Sequence, residues 1–353
     1  MSRSIVSRSP KIAGRARAFV LAAGLAVCLG CGGSGAGAAD GGAGRGGAGA
    51  GAAGSAGTSG GAGAAGSVGA AGQSGGGTGG QSACGPRGTY GGGETSQAGA
   101  SVTANIVDET GAPVVGQPVY IGGLDITSAP STTDSAGHVA IQTNLSMKRP
   151  AFKVGDSLTY TELAIPLTAA STDFSAGGQL LAIGKLSNKT GASLTPGTPA
   201  TSGDVTVTVP AGGTVGIDTL VYGTPDSQEL RAVALPLANS GPVLASAPAG
   251  VGAGFALLYG VAPSETIFCP AAKVTVALPH TTSAAGNDLG WAAGTAVEFW
   301  ITTTDTAQTY APYAGWAKMS DGVVSADGAS VSTADGPQGG FTFLENFAVR
   351  KAP

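Results

Sequence analysis

The chain has 353 residues, room for about two domains, and 63 of them are Gly. Charged residues make up 11% and aromatics 5%; the net charge is -4, with five basic residues (Arg3, Arg8, Lys11, Arg15, Arg17) and no acid in the first thirty. Without those thirty the balance is 12 basic against 21 acidic residues, a net -9. That excludes the basic stripe of a nucleic-acid binder and argues against an anionic lipid surface as an electrostatic partner.

The five positive charges precede an apolar run over 18–27. The run is too short to cross a membrane, which takes ~20 apolar residues. It has the length of the apolar region of an export signal. It ends in Cys28-Leu29-Gly30-Cys31, and small residues follow. This N-terminus resembles the lipobox of bacterial lipoproteins, in which small residues precede a lipid-bearing Cys. The resemblance implies a signal peptide over 1–30, lipid attachment at Cys31 and a membrane partner reached through acyl chains. Two or more such chains hold a protein stably at a bilayer, so a spanning helix is not required. The address implied is the cell envelope. Gly32, rather than the Asp associated with inner-membrane retention, points to the outer membrane. The pattern departs from the family at Cys28, where Leu usually opens the box. A plain secretory signal cleaved nearby is the alternative.

Residues 31–98 read as a low-complexity, flexible tether. Between 32 and 83 the chain is almost wholly Gly, Ala and Ser, with no aliphatic side chain larger than Val68. Nothing there can offset the entropy of ordering the backbone. A coil of this kind spans roughly 40 Å end to end. Gly57-Thr58-Ser59-Gly60-Gly61 and Gly72-Gln73-Ser74-Gly75-Gly76 match the nucleophile-elbow pattern. They lack the strand and helix that give the pattern its chemistry.

From about residue 99 short alternating runs separated by turn clusters replace the tether, the signature of strands. Val102, Ala104 and Ile106 alternate with Thr103 and Asn105. Further strands are expected at 118–121 and 138–143, with turns at 108–113 and 133–137. No window sustains a 3.6-residue period, so little helix is expected. Val107-Asp108-Glu109-Thr110-Gly111-Ala112-Pro113-Val114, Val119-Tyr120-Ile121 and Thr132-Thr133-Asp134-Ser135-Ala136-Gly137-His138-Val139-Ala140-Ile141 resemble the carboxypeptidase regulatory-like domain. That family is a small transthyretin-type β-sandwich. The resemblance covers about 90 residues, assigned here as 99–186. It implies a fold and leaves function open, because such modules serve as spacers, binders and accessory domains.

A second stretch, 203–350, carries strand patterns at 204–209, 254–259, 273–279, 296–301 and 341–343. Its order of a Val-x-Val-Pro-x-Gly run, a Phe-x-Pro step, a Val-x-Val-x-Leu-Pro run and a Trp near a turn resembles ZU5-like β-sandwiches of bacterial surface proteins. The expected fold class is therefore all-β: two consecutive β-sandwich domains behind a disordered Gly/Ala/Ser-rich tether. Once the signal is removed and Cys31 acylated, Cys84 and Cys269 remain. Two thiols in an oxidising compartment can pair. The alternative is two free thiols.

Signals for chemistry are sparse. The two histidines, His138 and His280, have no Cys, Asp or Glu at ligand spacing. His138 is expected to face solvent, opposite Val139 and Ile141. Asp321-Gly322, Asp327-Gly328 and the turn at Asp134 do not form a calcium loop, and Asp-Gly is the ordinary hairpin dipeptide. No cofactor or metal is expected, and the chain is read as non-enzymatic. The candidate ligand-stacking surface is Trp300, Tyr310, Tyr313 and Trp316, suited to a sugar ring or a protein partner. Packing inside the fold is the competing assignment for these four. Two functions follow: a lipid-anchored protein that displays β-sandwiches for glycan or protein binding, which needs those aromatics exposed, or a structural envelope module, which needs them buried and an apolar patch or strand edge free. A secreted hydrolase is the third, and would need His138 or His280 facing a carboxylate in a cleft.

Overall fold

The computed structural model describes residues 90, 95–280, 287–305, 308–336 and 339–353. The expected signal peptide, Cys31, Cys84 and most of the tether lie outside these residues. All the described residues belong to one compact unit, Gln73–Pro353. Its first half holds β1 (Ser96–Val107), β2 (Pro118–Gly122), β3 (Ser131–Thr132), β4 (His138–Lys148), β5 (Ala151–Val154), β6 (Leu163–Pro166), β7 (Ser171–Asp173) and β8 (Leu181–Ala182). Its second half holds β9 (Pro199–Ser202), β10 (Val205–Thr208), β11 (Thr214–Gly216), β12 (Arg231–Ala234), β13 (Phe255–Ala262), β14 (Thr266–Ala277), β15 (Ala296–Thr302), β16 (Trp316–Val324), β17 (Ser330–Thr333), β18 (Phe341–Leu344) and β19 (Phe347–Lys351). A five-residue helix, α1 (Gly241–Ala245), precedes β13. The protein is all-β.

In the first half, β4, β1 and β7 form one sheet, with β8 also on β1; β3, β2, β5 and β6 form the other. Alternation decides which side chains fill the space between them. Val102, Ala104 and Ile106 of β1 point inward with Val139 and Ile141 of β4, and Thr103, Asn105, His138 and Gln142 stay outside. Val119, Ile121, Phe152, Val154, Leu163 and Ile165 supply the opposite wall. Each such side chain, taken from water, contributes roughly 1.5–3 kcal/mol. The turns follow the expected chemistry. Asp108 accepts from the backbone N–H of Thr110 (2.9 Å) and Ala112 (3.0 Å), and Asp134 from those of Ala136 (2.8 Å) and His138 (2.9 Å). Gly137 has φ +75°, and a Cβ there would stand 2.3 Å from the Ile106 carbonyl oxygen.

The second half is built on one continuous strand path, β12-β13-β19-β15-β16-β17-β14-β10-β9, with β11 and β18 also on β14. The path curls until its ends meet: the Ala232 N–H donates to Ser202 Oγ at 3.1 Å, and Leu230 bridges Ala192. The facing walls enclose Val205, Val207, Phe268, Val274, Val297, Phe299, Ile301, Phe341 and Phe347. Pro270 sits where the β14–β18 ladder skips from Ile267 to Ala272, a place that needs no donor from it.

The two halves, expected as 99–186 and 203–350, share a core across their junction. Val233, Val243, Phe255, Leu258, Trp316 and Ala348 of the second half join the first half's hydrophobic cluster. One side of the curled sheet thus faces its own interior, and part of the other side faces the first sandwich. Two boundaries differ from expectation. β1 starts at Ser96, inside the span assigned to the tether, and β9 lies between the two assigned domains. Asp321-Gly322 is not a turn but part of β16. Its Gly is there because Phe299 Cε2 and the Ser332 carbonyl oxygen would each stand 2.5 Å from a Cβ. Asp327-Gly328 is the turn, closing β16 onto β17 with Gly328 at φ +72°.

Candidate functional site

Of the four aromatics named as a candidate stacking surface, three are buried and one is half-buried, the arrangement of the competing packing assignment. Trp316 is 5% exposed; it packs on Phe255 at 5.2 Å and its indole N–H donates to Ser246 Oγ at 3.0 Å. Tyr310 is 9% exposed, tilted on Phe343, and donates to the Thr302 carbonyl at 2.9 Å. Tyr313 is 8% exposed and packs with Ala151 and Ala164 on the outer face of the β5–β6 pair. Trp300 is half-buried, on the side of β15 opposite Val297, Phe299 and Ile301 as alternation requires. Its N–H donates to Glu298 Oε2 (3.0 Å), and Arg350, bound to the same oxygen at 2.7 Å, lies 5.5 Å over its ring. The burial has a physical reason. Three of these large rings fill gaps between layers, where their apolar area is removed from water and their polar tips find partners.

His138 is exposed, with Nδ1 3.9 Å from Asp134 Oδ2 across its own turn rather than in a cleft. His280 is exposed, three residues beyond the end of β14. Among the described residues, no group of three His, Cys, Asp or Glu is arranged to hold a metal, and no helix is long and apolar enough to cross a membrane. Cys269, in β14, is disulfide-bonded; its partner lies outside the described residues, as does Cys84.

Ionisable groups converge at the seam between the two halves. Strand β5 points Phe152 and Val154 into the first sandwich and therefore Lys153 the other way, at the second half. Lys153 Nζ lies 2.8 Å from Glu162 Oε1 and donates to the Thr304 carbonyl at 3.1 Å. Glu162 stands just before β6. From the second half come Glu265, which opens the β13–β14 hairpin's return, and Glu345, between β18 and β19. Glu345 Oε1 accepts from the Glu265 backbone N–H (2.8 Å), from Thr304 Oγ1 (3.0 Å) and from Gln308 Nε2. Thr304 Oγ1 also lies 3.3 Å from Glu265 Oε1. A hydroxyl chain completes the seam. Tyr222 OH lies 2.8 Å from Ser264 Oγ, Ser264 Oγ 3.0 Å from Ser157 Oγ, and Ser157 Oγ donates to Glu162 Oε2 at 3.1 Å. The Asn346 amide ties the halves again, donating to the Glu162 carbonyl and accepting from the Val261 N–H.

The electrostatics follow from burial. Glu345 is fully buried; desolvation, then the neighbouring Glu265, push its carboxyl well above the usual range, against the pull of Gln308 and Thr304. Its Oε2 has no hydrogen-bond partner, which a neutral carboxyl tolerates far better than an ionised one. Burial, with Glu162 and Asp305, raises Glu265 to about 7. Burial alone would lower Lys153, but Glu162, Tyr313 and Glu265 outweigh it and hold the ammonium above its ordinary value. Burial pushes the Tyr222 phenol up to about 12. Three of the four non-Gly residues with positive φ among the described residues line this seam: Ser157 (57°), Glu265 (63°) and Ala314 (58°). Strained backbone of this kind persists where its surroundings hold it.

Sequence reasoning did not find this cluster, because its acids come singly from distant elements. Two signals were present. Lys153 interrupts an apolar strand, and Glu345-Asn346 separate two Phe-rich strands. No protein-family model, curated protein or solved structure matches the chain.

Proposed function

We propose that the chain is an exported, lipid-anchored envelope protein whose β body is a non-enzymatic module making protein contacts beyond the membrane, held off it by the Gly/Ala/Ser run. The anchor rests on the basic N-terminus and the Cys31 lipobox pattern; the carboxypeptidase regulatory-like resemblance agrees with a display or accessory module. The observation that carries the choice of contact is the inversion of apolar surface. Most of the large aromatics are turned inward, Tyr90 being the exposed exception, while aliphatic side chains stand outside around a short edge. Leu220 is 95% exposed, with Val221 beside it. Neither is adrift, since Asp218 accepts from the Leu220 N–H (2.8 Å) and Tyr222 next to them is sunk into the seam. The same loop borders a groove lined by Leu194, Val215, Ile217 and Pro225. Among the described residues β11 pairs with β14 alone and its other edge has no strand on it, and exposed Ile267 lies opposite Gly216 in that ladder. Outward aliphatics and an open edge suit a protein surface; sugar stacking needs rings.

A photo-crosslinking residue placed at position 220 of the intact chain, in its own envelope, tests this. A discrete protein adduct from 220, and none from Thr103 on the polar face of β1, is the expected outcome. No adduct at 220 together with retention on immobilised envelope polysaccharide would overturn it in favour of glycan recognition.

A further inference from the structure

Among the described residues, the seam joins the halves through four carboxylates (Glu162, Glu265, Asp305 and Glu345) and a single facing cation, Lys153, so its net charge depends on how many protons it keeps. We infer that it is a proton-gated latch: the halves are locked together while Glu265 carries a proton, and the seam loosens when it is lost. The inference is independent of the envelope reading.

Glu265 is the carboxyl placed to gate. It is half-buried, so solvent protons reach it, whereas Glu345 behind it is sealed. The groups that face it come from both halves. Lys153 on β5 and Glu162 before β6 belong to the first; Asp305 after β15 and Glu345 before β19 belong to the second. Tyr222, Tyr310 and Tyr313 border the same space and, held un-ionised by burial, add no charge near neutrality. Lys153 is already committed to Glu162. Thr304 has one hydroxyl proton and two claimants, Glu265 Oε1 and Glu345 Oε1. Among the described residues, a second ionised carboxylate therefore finds no cation that is not already paired and must share the one Thr304 proton, and like charges at this spacing repel in a poorly solvated site.

The sign follows from linkage. Glu265 titrates near 7 in the folded chain and near 4.5 when unfolded. Below 4.5 it is protonated in both states and the lock is at full strength. As pH rises from 4.5 through 7 the unfolded state sheds the proton first, so the folded state loses its advantage. The unfolding equilibrium constant of the full chain then rises roughly 50- to 100-fold between pH 5 and pH 8 through this group.

The test is denaturant unfolding of the full chain from pH 5 to 8, beside Glu265→Gln, with hydrogen exchange at the Glu265, Thr304 and Asp305 amides corrected for intrinsic rates. Gln copies the protonated acid in shape and neutrality, so the variant should keep more of its acid-state stability than wild type, the remaining loss coming from buried Glu345, and show slower seam exchange at pH 8. Wild type should lose both. A Glu265→Gln variant that keeps the wild-type pH dependence overturns the latch. Should that variant fail to fold, carboxyl-carbon titration of wild type decides: a Glu265 midpoint near 7 supports the proposal and one near 4.5 overturns it.

Discussion

Phe299 and Gly322 show what a single position can demand. Phe299 is fully buried and touches Phe341 and Phe347 from the middle of β15. Gly322 on the paired strand leaves room for the edge of that ring. Adding one methyl, Gly322→Ala, is expected to cost roughly 1–3 kcal/mol by overpacking. Removing the ring, Phe299→Ala, should cost about 3–5 kcal/mol through lost transfer energy and a cavity. Urea midpoints of the two variants measure both, and a Gly322→Ala chain as stable as wild type would show that β15 and β16 can slide apart freely. The strand around Phe299 was legible in sequence because Val297, Phe299 and Ile301 alternate. The role of Gly322 was not: Asp-Gly carries the same letters in a turn and in a strand that a ring must approach, and only the neighbour across the sheet distinguishes them.

At the scale of elements, β5 and β6 are unusual in being covered on both sides. Phe152, Val154, Leu163 and Ile165 face the first core, while Lys153 and Ala164 face Tyr313 and Ala314. A strand that buries both faces cannot keep a polar side freely solvated, so its lysine needs a partner, and Glu162 supplies it. Removing one member of such a pair strands the other. Lys153→Met should destabilise by roughly 3 kcal/mol or more. Glu162→Gln should cost less, because Lys153 retains the Thr304 carbonyl and the other carboxylates. Thermal unfolding near pH 7 reads the order, and equal losses would show that Glu265 and Glu345 do not feel Lys153. Alternation located β1, β2 and β4, whose outer faces meet water. It passed over β5 and β6, which lack the contrast that makes alternation visible.

On the scale of the whole molecule, the chain's cysteines and termini set the expectations. Cys269 is cross-linked. The proposed bridge to Cys84 would close a loop of well over 100 residues, and reduction is expected to lower stability by a few kcal/mol. Intact-mass analysis of membrane-extracted protein checks this and the anchor together. A chain starting at Cys31 with acyl mass, gaining two daltons on reduction, is the expected result. An unacylated chain starting elsewhere would remove the lipid anchor from the proposal.

By itself the sequence determined the class of fold and most of the places where the chain turns. Those depend on local matters: side chains alternating at period two, Asp oxygens within reach of their own backbone N–H groups, and glycines at positive φ. It also set the contrast between a Gly/Ala/Ser run with nothing to bury and a β-rich remainder. The tertiary structure alone decided that second-half side chains complete the first half's core, that Tyr310, Tyr313 and Trp316 pack inside the fold, and that Lys153, Glu162, Glu265 and Glu345 meet. The reason is distance along the chain. Lys153 and Glu345 are almost two hundred residues apart, and what unites them is the packing of one sheet's second face against another's, which no local pattern encodes.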